Sequence, residues 1–228
     1  MITSDFPLVS DPALTSHVVG VHSSATSRFT VQALANRVGA GISTDILAIE
    51  ALGGTLKGLP VGSNLTDITT TQTMVDGQLR LLAFWVPRSC TITGAKILLS
   101  TAGVFTADNN NRLGLYTLSG TTLTLVASSA NNANLWKATA DAVSAAAFST
   151  PYAATAGLYY VGWLFNNSAT TTDPVQRAFP ALTSGLNSLD LTAGLKLSGV
   201  LTGQTDLPST QDLVAVSGAS SRPFLYLY

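Results

Sequence analysis

The sequence predicts a mainly β protein, an antiparallel jelly-roll-like β-sandwich preceded by a short N-terminal assembly segment of strand and helix. Three observations point there. Charged residues make up 10% of the 228-residue chain, against about 25% in an average globular protein, and Ser, Thr, Asn and Gly take their place. Glu50 is the only glutamate among 12 carboxylates, so surface-helix formers other than Ala and Leu are scarce, while strand-favouring Thr and Val are abundant. Beyond residue 64 the apolar segments are short, alternate with a period of two and are separated by turn residues, a pattern of antiparallel sandwiches and not of parallel α/β folds.

Two regions are expected, an assembly or attachment segment over residues 1–60 and a head over residues 61–228. In the first, Ser10-Asp11-Pro12 is a turn signal, His17 to Val21 a short strand, and Ser23 to Ser27 a polar connection. Thr30 is placed to cap a helix in which Val31, Leu34, Ala35 and Val38 recur at helical spacing, with Gly39 after its end. Ile42, Ile46, Ile49 and Leu56 are also spaced for one helical face. Such a face suits either a seam between identical chains or packing on its own domain, and Gly53-Gly54 limits its length. Gly58 to Asn64 reads as a linker.

The head then unfolds as a series of strands. Leu79 to Val86 is apolar on both faces, as a central strand requires, and Pro87 ends it. Thr91 to Leu99 follows, then a polar loop at Asp108 to Asn111. Arg112 to Leu118 and Thr121 to Ala127, joined by Ser119-Gly120, form the clearest hairpin signal. The Ala-rich stretch Asp141 to Phe148 fits a strand or a short helix, Gly157 to Phe165 a buried strand, and Phe224 to Tyr228 a strand alternating aromatics with Leu.

Several function classes lose support on residue chemistry. A net charge of -1 without a basic run offers no footprint for nucleic acid or an anionic membrane. The mean hydropathy is +0.34, yet the densest apolar runs fall short of the roughly 18 residues of a spanning helix. Met1 to Pro7 lacks the basic and apolar parts of a secretory signal. The lone Cys90 forms no internal disulfide or multi-cysteine zinc site. His17 and His22, five apart, do not converge on a metal, the Asp residues are scattered in turns, and no nucleophile elbow or phosphate loop is present. No cofactor, metal or catalytic residue is therefore expected. Of the three tryptophans, Trp85 and Trp163 read as core. Trp136, between Asn134 and Lys137, is the candidate for an exposed ligand or interface aromatic.

Two stretches resemble structural proteins of tailed bacteriophages. Phe6-Pro7-Leu8-Val9, His17-Val18-Val19-Gly20-Val21 and Ser27-Arg28-Phe29-Thr30-Val31 to Leu34 are similar to the opening of phage fibre and spike subunits. Thr93 to Lys96, Asn111 to Ser129, Leu135-Trp136 and Ala156 to Gly162 are similar to β-sandwich head modules of tail and head fibres. The resemblance spans most of residues 5–165. It implies a non-enzymatic virion subunit, homotrimeric and anchored to other virion proteins through its N-terminal segment, whose head contacts a host-surface glycan or protein or a neighbouring virion protein. Phe6, Phe29, Val31, Leu34, Ile42, Ile46 and Ile49 are the candidate assembly residues. The alternatives are a glycan-binding module, a capsid decoration protein and, with least support, a surface-polysaccharide hydrolase.

Overall fold

The computed structural model describes residues 17–22, 25–30, 56–62, 68–138, 143–181, 187 and 194–228. Within them the chain is mainly β, and its strands pair antiparallel. β1 (His17–His22) and β2 (Ala25–Thr30) form a hairpin with Val18 opposite Phe29. Ala25 to Ser27 is thus strand and not the polar connection expected, because pairing with Gly20 to His22 satisfies its backbone groups. The helix expected from Val31 and the stretch around Ile42 to Ile49 lie outside the described residues.

The head comprises β3 (Leu59–Pro60), β4 (Thr70–Thr73), β5 (Gln78–Val86), β6 (Cys90–Thr101), β7 (Val104–Ala107), β8 (Arg112–Ser119), β9 (Thr122–Ser128), β10 (Val143–Ala154), β11 (Gly157–Phe165) and β12 (Asn167–Thr172). There follow β13 (Val175–Phe179), β14 (Ser198–Leu201), β15 (Thr210–Asp212), a 3-10 turn at Leu213–Ala215, β16 (Ser217–Gly218), β17 (Arg222–Pro223) and β18 (Leu225–Leu227). An eight-stranded sheet runs β15-β9-β8-β11-β5-β14-β16, with β3 also on β5. A six-stranded sheet runs β10-β6-β13-β17, with β18 on β6 and β4 on β13. β7 and β12 pair separately.

β5 lies where its unbroken apolar run requires, paired with β11 along its whole length and with β14 and β3 on its other side. The predicted hairpin is β8 and β9, turning at Gly120 with φ +58°, a value glycine adopts without strain. The Ala-rich stretch resolves as a strand, Ser144, Ala146 and Phe148 facing in and Val143, Ala145 and Ala147 out. Gly58 to Val61, expected as a linker, is held by both sheets. Gly58 bridges Leu227, Leu59 pairs with Trp85, and Val61 N–H donates to Ala83 O at 2.9 Å. The reason is Leu59, whose burial here also gives the end of β5 a backbone partner.

Three clusters hold these layers. The sheets face each other across Phe84, Val86, Val161, Trp163 and Phe165 on one side and Ile92, Ile97, Leu99, Leu225 and Leu227 on the other. The opposite face of the eight-stranded sheet carries a second core, Leu79, Leu81, Tyr116 and Tyr160 beneath Leu207, Leu213 and Val216. A third, smaller cluster gathers Leu56, Leu59, Phe179 and Phe224. Leu56, the first described residue after Thr30, is 3% exposed and already packs in the sandwich.

Candidate functional site

Trp136 is a correction to the sequence reading. Its side chain is fully buried, and its Nε1–H donates to Asn111 Oδ1 at 3.0 Å and to Leu164 O at 3.2 Å. Asn111, expected in a polar surface loop, is buried beside it. Its Oδ1 also accepts from Asn166 N–H at 2.9 Å, and its Nδ2 donates to Asn166 O at 2.9 Å. Asn166 Nδ2 reaches Asn110 O at 2.7 Å, and Asn131 Oδ1 accepts from Asn111 N–H at 2.8 Å. The asparagines thus lock three loops around the indole, and a buried indole keeps its donor satisfied. Trp85, expected in the core, is 39% exposed beside its cross-strand partner Leu158, at the end of β5 beyond the second core. Trp163 is core as expected, donating to Gln176 Oε1 at 3.1 Å.

Of the candidate assembly residues, Phe29 lies on β2 opposite Val18. Phe6, Val31, Leu34, Ile42, Ile46 and Ile49 lie outside the described residues. Leu56, the last member of the same apolar spacing, is buried against the six-stranded sheet in the third cluster.

The outward face of β10, β6 and β18 groups exposed and half-exposed side chains of several kinds on adjoining strands. Register builds this face in rows. Ala145, Lys96 and Tyr226 lie abreast, and Val143 is abreast of Leu98 in the next row. On the other side, Ala147 is abreast of Gly94, where Tyr228 N–H donates to Gly94 O at 3.1 Å. Period two sends Leu225 and Leu227 into the core and leaves Tyr226 and Tyr228 half-exposed outside. Gly94 is needed here, since a Cβ would collide with the Ala146 carbonyl oxygen and lie 2.7 Å from Tyr228 Oη and 2.8 Å from its ring. The β10 backbone at Ala146 and the Tyr228 ring together occupy the space a side chain at 94 would fill.

Lys96 Nζ sits 4.7 Å from the Tyr228 ring centroid and 5.8 Å from that of Tyr226, within the range of a cation–π attraction. The aromatic series continues inward through Phe224, 5.9 Å from Tyr226, to Phe179, 5.7 Å further, where the Arg222 guanidinium lies over the ring. Burial, and then the neighbouring Tyr228, raise the Tyr226 phenol above its ordinary value, keeping it a neutral hydrogen-bond donor. Sequence reading missed this face. Its two signals were the outward aromatic at every second position from Phe224 to Tyr228 and a lysine inside the apolar run of β6.

Other polar groups serve local structure. Arg112 pairs with Asp206, its Nε–H donating to Oδ1 at 2.7 Å, and that oxygen also accepts from Leu207 N–H. Asp212 caps the 3-10 turn through Val214 N–H, and Asp76 accepts from Asn167 N–H. Arg80, enclosed at the end of the inner core, donates from Nη1 to Ser221 Oγ at 2.6 Å, and burial lowers its pKa to about 10. Among the described residues no group of three or more His, Cys, Asp or Glu is arranged to hold a metal ion. No known protein-family model matches the sequence, and no curated protein matches it.

Proposed function

We propose that the chain is a structural, non-enzymatic subunit of a tailed-phage virion, a head- or tail-fibre or spike protein joined to the particle through its N-terminal segment and presenting the sandwich outward. The supporting observation is the division of labour along the chain. The described residues from Leu56 onward form a β-sandwich with its own cores, in which Asn111, Asn166, Asp206 and Asp212 hold loops and turns. The stretches that resemble fibre heads, Asn111 to Ser129 and Ala156 to Gly162, are the β8–β9 hairpin and most of β11, adjoining strands of the eight-stranded sheet. Homotrimerisation through the N-terminal segment belongs to the same reading, as does a final location in the virion.

The test is deletion of residues 1–55, keeping Leu56 to Val61 because these complete the sheets. Light scattering coupled to size exclusion is expected to give a trimer for the full chain and a folded monomer for the truncation, which no longer joins particles. Incorporation of the truncated head into particles overturns the attachment half of the proposal. A second reading, a glycan-binding module, has support from the face of Lys96, Tyr226 and Tyr228, and the two readings are compatible in a fibre head.

A further inference from the structure

We infer that the outward face of β10, β6 and β18 binds a carboxylate-bearing glycan, with Lys96 pairing with the sugar carboxylate and the sugar rings lying on Ala145, Ala147 and the two tyrosines. The inference deepens the reading of the head as a host-contacting module and rests on it. Lys96 is half-buried, held over two rings, and has no carboxylate partner among the described residues. A cation so placed keeps its charge available to an incoming anion.

The surroundings fit a flat, ring-shaped partner. The outward residues of β10 beside Lys96 are the exposed Ala145 and Ala147, which leave an open floor, and Tyr226 and Tyr228 border it from β18. Three strands abreast span roughly 10 Å, room for a short run of sugars whose C–H faces pack on aromatic and alanine carbons. A peptide adding as a strand needs free backbone groups. β6, at the centre of the face beneath Lys96, offers none, being paired with β10 on one side and β18 on the other, so a strand adding at the edge of β10 would not lie over Lys96. A single ammonium is likewise too little charge for a nucleic-acid backbone, whose affinity comes from many phosphate contacts.

The experiment is calorimetric titration of the full-length protein with tetragalacturonate and tetrasialate, each beside its neutral methyl ester, and with a sulfated galactan. Saturable binding of at least one carboxylate sugar, weakened about tenfold or more by esterification, is expected. Lys96→Met and Ala145→Glu are expected to weaken it to a similar degree with a melting-temperature shift of no more than about 4 °C, and Lys96→Arg to retain it. Binding of neither acid, equal binding of acid and ester, preference for the sulfated chain, or unchanged binding by Lys96→Met overturns the inference. Particle incorporation is scored separately. An Ala145→Glu chain that is incorporated but does not bind assigns the loss to this face, whereas a wild-type chain absent from particles counts against the fibre reading whatever it binds.

Discussion

The two sheets of the head differ in how they are covered. The eight-stranded sheet is buried on both faces around β5 and β11, whereas the six-stranded sheet is buried on its inner face and only partly outside, through Leu56, Phe179 and Phe224. Both use the same device, an aromatic ring laid over a glycine. Tyr116 lies against Gly162, where a Cβ would be 2.9 Å from its ring, and Tyr228 lies against Gly94. Tyr116 is fully enclosed and donates to Pro208 O, while Tyr228 meets solvent beside Lys96. A covered sheet concentrates stability. A half-covered sheet leaves surface on which residues are free to recognise something.

If that contrast holds, the largest losses follow from changes in the enclosed region. Trp136→Ala is expected to cost about 3–5 kcal/mol in urea denaturation, by opening a large void and leaving Asn111 and Leu164 short of a donor. A loss below 1 kcal/mol would mean that the asparagine loops do not depend on the indole.

Alkali gives the next effect. Burial pushes the Tyr160 phenol up to about 12, and its hydroxyl donates to Lys196 O at 2.6 Å. Its pKa is higher in the folded than in the unfolded chain, so the stabilisation is fully present below pH 10 and is lost as pH rises through about 12. The amount is about 2–3 kcal/mol. Comparing wild type with Tyr160→Phe from pH 9 to 12 should show a flatter stability curve for the variant, and parallel curves would refute the assignment.

Gly162→Val is expected to cost about 1–3 kcal/mol, because the added carbons meet Tyr116, Leu79 and Leu81 in a filled core. Its midpoint in urea, compared with that of Tyr116→Leu/Gly162→Val, shows whether the ring is the obstacle, in which case the double variant recovers part of the loss. The smallest effect belongs to the open face. Lys96→Ala should change stability by about 1 kcal/mol or less, the range of an exposed cation–π pair, and a larger thermal shift would place Lys96 in the scaffold instead of on a free surface.

Most of the sheet architecture was legible because it rests on periodicity. The runs read as Leu79 to Val86, Thr91 to Leu99 and Gly157 to Phe165 are β5, β6 and β11, within a few residues at their ends, and the Gly120 turn joins β8 and β9. The strands between Phe165 and Phe224 were harder to see. β14 to β17 are two to four residues long, and short elements are selected by their sheet neighbours more than by local pattern. Trp85 and Trp136 exchanged roles for a related reason. Their burial is decided by distant partners, since Asn111, far away in sequence, turns Trp136 inward, while the second core ends before it reaches Trp85. The Lys96 face needed strand register, which brings residues 94–96, 145–147 and 226–228 side by side and which sequence spacing alone does not contain.

The antiparallel bridge between Gly58 and Leu227 has a mechanical meaning. Lys57 N–H donates to Leu227 O at 2.7 Å and Leu227 N–H to Gly58 O at 3.1 Å, while Tyr226 on the same strand is the register partner of Lys96. A pull applied at Lys96 and resisted at Leu56 passes from β6 to β18 and then to the entering chain, by a path two strand boundaries long. The entering chain pairs next with β5 through Leu59, and Leu225 and Leu227 of β18 sit in the main core, so tension on a tethered head is shared between backbone pairing and both sheets.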